Sequence, residues 1–101
     1  MEINQIEKKI ITAIKNDPHV KDIKKVSLFG SYIHGNPRID SDVDVLVEFY
    51  PDSSISLFDL VRIRRNFSES TGKTIDLLTP SALSKYFRNE VLASAKTIYE
   101  K

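Results

Sequence analysis

Asp42 and Asp44 carry the chemistry that is easiest to read in this chain. They open the run DVDVLVEF, whose alternation reads as a β-strand. Side chains two apart in a strand share a face, so the two carboxylates stand together, with Leu46 and Glu48 further along. Val43, Val45, Val47 and Phe49 form the opposite face, which reads as core. Carboxylates placed this way repel unless a cation lies between them. A hard dication such as Mg²⁺ suits them, because it takes a few carboxylate oxygens together with phosphate oxygens and water. Upstream, an apolar strand stops at Gly30-Ser31. Gly30 permits a sharp turn and the close approach of a ligand. Ser31 stands where SYIH could open a helical turn whose free N–H groups favour phosphate. It could also cap that turn, and the two roles are compatible. A phosphate cradle joined to a carboxylate pair by a short loop predicts a site for a metal–nucleoside triphosphate.

The order Gly-Ser, an intervening loop, then Asp-x-Asp resembles the nucleotidyltransferase superfamily typified by DNA polymerase beta. The surrounding text resembles its minimal members, which act as antitoxins to HEPN-domain toxins. The likeness extends to Asp76 in TIDLLTPSAL and to the tail NEVLASAKTIYE, and so spans almost the whole chain. It implies Mg²⁺-dependent nucleotidyl transfer with ATP as donor and two metal ions. By resemblance Asp42 and Asp44 hold both ions, and Asp76 holds the one that meets the nucleophile. Gly30 and Ser31 hold the β and γ phosphates. The implied partner is a HEPN-domain ribonuclease toxin, silenced when AMP is placed on one of its tyrosines. Two other functions stay open: a non-enzymatic antitoxin that covers its partner, and a small-molecule nucleotidyltransferase that modifies an antibiotic. Taken alone, Asp76 is a charge in an apolar run, costly unless satisfied at a sheet edge or in a hydrogen-bonded turn.

The elements that must position these residues follow from pattern. Ile3, Ile6, Ile10 and Ile14 repeat at helical spacing over residues 2–16, with Asn4 and Glu7 as a capping pair. Asn16-Asp17-Pro18 ends that helix. His19 follows in a loop and is expected to be exposed. Strand one covers Lys25 to Phe29. Beyond it, in the turn-rich loop, His34 reads as an exposed histidine, and Arg38 either approaches a triphosphate or pairs with Asp40. A second helix starts near residues 54–56, with Ser56 and Asp59 as a capping pair and Leu57, Leu60, Val61, Arg64 and Phe67 on one stripe. Arg62, Arg64 and Arg65 read as a solvated face or as a contact to a protein partner. Gly72 ends this helix. The third strand covers Lys73 to Leu78, and Thr79-Pro80 starts a last helix buried through Leu83, Phe87 and Val91. The end, AKTIYE, reads as a fraying turn or a short extended tail. The pattern predicts an α/β domain with a small three-stranded sheet and about four helices. The short link between the first two strands makes the sheet mixed rather than wholly parallel.

Length and charge narrow the functions further. A chain of 101 residues makes one domain, 1–101, with a single core. Hydrophobic content of 41% and charged content of 29% are ordinary for a globular protein. A formal charge of +1 is no electrostatic footprint for nucleic acid. The chain has no cysteine, which excludes disulfides and thiol chemistry. No apolar run approaches membrane-spanning length, and MEINQIEKKI is not a signal peptide. A cytoplasmic location is expected.

Overall fold

The structure is a computed structural model that describes residues 3–30, 42–86 and 88–101. The isoleucines at helical spacing form α1 (Ile3–Asn16), with Ile6, Ile10 and Ile14 fully buried. A 3₁₀ turn at Val20–Asp22 leads into β1 (Ile23–Phe29), and β2 spans Val43–Phe49. Then come α2 (Leu57–Thr71), β3 (Ile75–Leu78), a 3₁₀ turn at Pro80–Ala82, α3 (Arg88–Ser94) and β4 (Lys96–Glu100). The sheet runs β3-β2-β1-β4, with β2 parallel to β3 and the other neighbours antiparallel. No described helix is long and apolar enough to cross a membrane.

Helices α1 and α2 supply one side of the core. Val26, Leu28, Val43, Val45 and Val47 meet Ile6, Ile10, Ile14, Ile63 and Phe67 there, all fully buried. The alternation in β2 thus decides which residues remain for the opposite face: Asp44, Leu46 and Glu48. Leu46 is also buried on that second face, where the 3₁₀ turn Pro80–Ala82 packs against β2.

Several features differ from the sequence expectation. The sheet has a fourth strand, because Lys96–Glu100 pairs with the far edge of β1. A register shift in that pairing places the consecutive side chains Ile98 and Tyr99 both against the core. The last helix does not run from Pro80: after a 3₁₀ turn with no side-chain cap from Thr79, α3 begins only at Arg88. Of its expected stripe, Leu83 is buried and Val91 half-buried, and Phe87 lies outside the described residues. Asn4 lies inside α1 rather than capping it. In α2 the buried side is Ile63, Phe67 and Thr71, with Leu60 against the core, whereas Leu57 is 74% exposed. The Ser56–Asp59 capping box and left-handed Gly72, at φ 69°, begin and end that helix as expected.

His19 is not the exposed loop residue expected from sequence. Its Nδ1 lies 2.7 Å from Asp17 Oδ1 and its Nε2 3.1 Å from Asp59 Oδ1. Asn66 donates to the other oxygen of Asp17 at 2.7 Å, so the end of α1 and the start of α2 share one polar clamp. Burial works to lower the His19 pKa, but the hydrogen bonds and charges of Asp17 and Asp59 outweigh it and raise it. Its contribution is therefore full below the ordinary value of 6.5 and is lost as pH rises through the raised value. His19→Gln should cost more stability at about pH 5.5 than at about pH 8.5 in urea denaturation. Equal losses at the two pH values would mean that the ring's charge does not hold the helices.

Candidate active site

The site is assembled at one end of β1, β2 and β3. In the antiparallel register Phe29 lies opposite Asp44, and in the parallel register Asp44 lies opposite Asp76. The Val43 N–H donates to the carbonyl of Thr74 at 2.9 Å, which fixes the start of β3 beside the start of β2. Asp44 is consequently enclosed between the end of β1 and Asp76, and is half-buried. Asp76 and Asp42 are exposed, and Asp42 stands just before β2 rather than within it.

Gly30 ends β1 with φ at 78°, a conformation that side chains disfavour. A Cβ there would fall on Oδ2 of Asp44 and lie 2.9 Å from its Cγ. The glycine is thus needed for a reason that its sequence context does not display. The carboxylate of Asp44 occupies the space where its side chain would be. Ser31, His34 and Arg38 lie outside the described residues.

Electrostatics set Asp44 apart. Burial, then the charges of Asp76 and Asp42, then a hydrogen bond with the Asp76 side chain, all push its pKa up. Two carboxyl groups in hydrogen-bond contact need a proton or a cation between them. Among the described residues, which include Asp42, Asp44 and Asp76, no group of three or more His, Cys, Asp or Glu side chains is placed to hold a metal ion, so the three aspartates expected from sequence do not converge on one cation here. Mg²⁺ can bind through one or two carboxylates and complete its shell with substrate phosphate and water. The hard oxygens of Asp44 and Asp76, with Asp42 within electrostatic range, fit such an ion.

The structure brings Gly30, Asp44 and Asp76 together and leaves Asp42 exposed within electrostatic range of Asp44, while Ser31 lies outside the described residues. On the exposed side of α2, the sequence marks Arg62, Arg64 and Arg65 but places Leu57 on the buried stripe and does not mark Phe58, whereas both are exposed.

Comparison with known proteins adds an independent finding. The family described as polymerase beta, nucleotidyltransferase matches residues 8–101. A Methanocaldococcus jannaschii relative, named provisionally as a protein adenylyltransferase, is 36% identical over 95 residues, covering 94% of this chain and 96% of that protein. The protein adenylyltransferase MntA of Thermococcus cleftensis is 31% identical over 84 residues, 82% of this chain and 83% of that one. In fold, the chain is similar to one in the complex of tri-AMPylated Shewanella oneidensis HEPN toxin with its MNT antitoxin. The TM-score is 0.70 at 17% identity, over 97% of this chain and 72% of that chain.

The geometry generates two predictions. Gly30→Ala should lose about 1–3 kcal/mol to backbone strain, plus the cost of displacing Asp44. The second part should vanish when Asp44→Ala is already present, so a double-mutant cycle by urea denaturation should show coupling between positions 30 and 44. Additive losses would show that the two do not compete for space. Separately, a carboxyl with a raised pKa contributes stability that is present below its ordinary value of 3.8 and lost as pH rises through the raised one. Asp44→Asn should therefore melt above wild type at neutral pH without metal, and this advantage should shrink as the pH is lowered toward about 4.

Proposed function

Because the chain belongs to the polymerase beta nucleotidyltransferase family, we propose that it transfers AMP from ATP to a tyrosine of a HEPN-domain toxin and thereby acts as an antitoxin. The observation that carries this reading is the Asp44–Asp76 contact, held beside a left-handed glycine at the end of β1. Relatives named as protein adenylyltransferases support the activity. The likeness in fold to a chain of a HEPN toxin–MNT antitoxin complex supports the partner. A cytoplasmic location belongs to the same proposal.

Asp42 and Asp44 would hold Mg²⁺ together with the triphosphate, and Asp76 would hold a second ion facing the acceptor. When bound, the ions would lower the pKa of the acceptor hydroxyl and neutralise the leaving pyrophosphate. Gly30 leaves room for the Asp44 carboxylate at the end of β1, and Ser31, in the turn that follows, would offer its hydroxyl to a phosphate. The tyrosine oxygen would form a bond to the α-phosphorus as the bond to the β-phosphate oxygen breaks. Pyrophosphate leaves, and the hydroxyl proton passes to solvent. No nucleophilic side chain of this chain is required; positioning and charge stabilisation supply the catalysis.

The test is a paired measurement on wild type and Asp76→Asn, with the HEPN protein encoded beside this chain, Mg²⁺ and ATP. Wild type should add one or more AMP masses to the partner and silence its ribonuclease activity. Asp76→Asn should retain much of the nucleotide-dependent rise in melting temperature, while transfer falls by about several orders of magnitude. Silencing of the toxin by wild type with no added mass, under any nucleoside triphosphate, would replace the enzyme by an antitoxin that only covers its partner.

A further inference from the structure

His19 touches two carboxylates that belong to different helices, and the contacts on its two ring nitrogens are not equivalent. On the α1 side, the side chain of Asp17 is fully buried. Its Oδ1 faces Nδ1 at 2.7 Å and accepts from the His19 N–H at 2.8 Å, and its Oδ2 accepts from Asn66 at 2.7 Å. On the α2 side, Asp59 is partly open to solvent and already serves as the acidic half of the capping box. Its Oδ2 accepts from the N–H and the hydroxyl of Ser56 at 2.9 and 3.0 Å, which leaves Oδ1 for Nε2 at 3.1 Å.

An ionised carboxylate only accepts hydrogen bonds, and a neutral imidazole has a single N–H. Both contacts are therefore satisfied at once only by the doubly protonated ring. When the ring gives up one proton, the surroundings decide which. Asp17 has no solvent to turn to, and setting its carboxylate against a nitrogen lone pair would leave a buried charge short of a donor. Asp59 keeps its bonds from Ser56 and reaches water. The proton therefore leaves Nε2, and a lone pair then faces Asp59 Oδ1, acceptor against acceptor. A cavity of about 380 Å³, lined by Pro18, His19, Arg62, Arg65 and Asn66, gives water access to the ring. Arg62 and Arg65 oppose the ring's charge across that cavity, but they are exposed, whereas the two carboxylates touch the ring. The 3₁₀ turn after His19 carries Lys21 and Asp22 and meets it through the backbone, the Asp22 N–H donating to the His19 carbonyl at 2.9 Å.

We propose that the His19–Asp59 contact is a proton-operated catch on the first turn of α2, with the His19–Asp17 contact as its fixed anchor. At acid pH the ring is held at both nitrogens and the catch is closed. As pH rises through the raised value of His19, Nε2 releases Asp59 while Nδ1 keeps Asp17, so α2 loosens at its start and the end of α1 does not. The opening stays local, because the rest of α2 is held separately by Ile63 and Phe67 in the core and by the Ser70 hydroxyl, which donates to the Lys9 carbonyl. What the catch moves is surface: Leu57 and Phe58 stand between Ser56 and Asp59 and are 74% and 78% exposed.

The experiment follows the wild-type chain from about pH 5.5 to about pH 9 by ¹⁵N NMR of the imidazole and by amide hydrogen exchange. The ring should carry both protons at the acid end and a proton on Nδ1 alone at the alkaline end. The Asp59 and Leu60 amides bond to the hydroxyl and the carbonyl of Ser56. Their protection should fall about tenfold or more over the same titration, beyond the intrinsic pH dependence of exchange, while the Ile63 and Phe67 amides keep theirs. Asp59→Asn sets an amide donor opposite Nε2 and preserves an acceptor for Ser56, so the step should vanish and the first turn should stay protected at both ends of the range. A neutral ring protonated on Nε2 would overturn the proposal, as would first-turn amides that follow only the intrinsic dependence. Protection lost along all of α2 together would overturn it too, since the clamp would then act on global stability alone. A step that persists unchanged in Asp59→Asn would place the titration elsewhere. Should that variant fail to fold, the wild-type ring and amides decide the matter by themselves.

Discussion

One constraint organises the molecule: the parallel register of β2 and β3 places one aspartate directly beside another. Asp44 and Asp76 are opposite partners in that ladder, and neither can move away without breaking the pairing that begins at Val43 and Thr74. The alternate residues of β2 explain why the pairing holds. Val43, Val45 and Val47 are locked into a core of isoleucines and Phe67, and a one-residue slip would carry them to the opposite face. A like-charge contact is thus maintained by apolar packing on the other side of the same strand. The cost appears in the raised pKa of Asp44, and a cation or a proton relieves it. Folding energy and functional chemistry are separated by one strand's thickness.

The parts of this arrangement that were legible in the sequence are those set by local period. The isoleucine spacing of α1, the valine alternation of β2 and the Ser56–Asp59 box each depend on neighbours within a few positions. The parts that were not legible depend on distant partners. KTIYE carries strand-favouring residues but reads equally as a fraying turn; it becomes a strand because β1 offers an unpaired edge and a register shift lets Ile98 and Tyr99 both reach the core. The buried side of α2 departs from the sequence stripe for a different reason. Leu57 and Val61 compete with Ile63 for the buried side, and only the position of α1 and the sheet decides between them. Likewise His19 reads as a loop residue until Asp59, forty positions away, is found against its ring.

The site shows the same division. Asp42, Asp44 and Gly30 were conspicuous through spacing, and Asp76 through a charge in an apolar run. Their mutual dependence was hidden. Gly30 is shaped as much by Asp44 as by any ligand, since a side chain at one position and a carboxylate at the other exclude each other. The left-handed conformation of Gly30 and the half-burial of Asp44 are therefore two descriptions of one fit. This links the strand end, the turn after it and the electrostatics of the carboxylate pair into a single mechanical unit.

The fourth strand also protects the sheet. Strand β1 lies between β2 and β4, and its pairing with β4 joins Lys25 to Glu100, while Lys96 reaches Glu7 on α1 at 2.6 Å. These contacts close nearly the full length of the chain, and loop closure of that span is entropically late compared with the β1–β2 pairing. With β4 undocked one side of β1 would be bare, and an unpaired strand edge is a template for other chains. The C-terminal strand thus shields the edge of the β1–β2–β3 ladder that lies away from the aspartate pair.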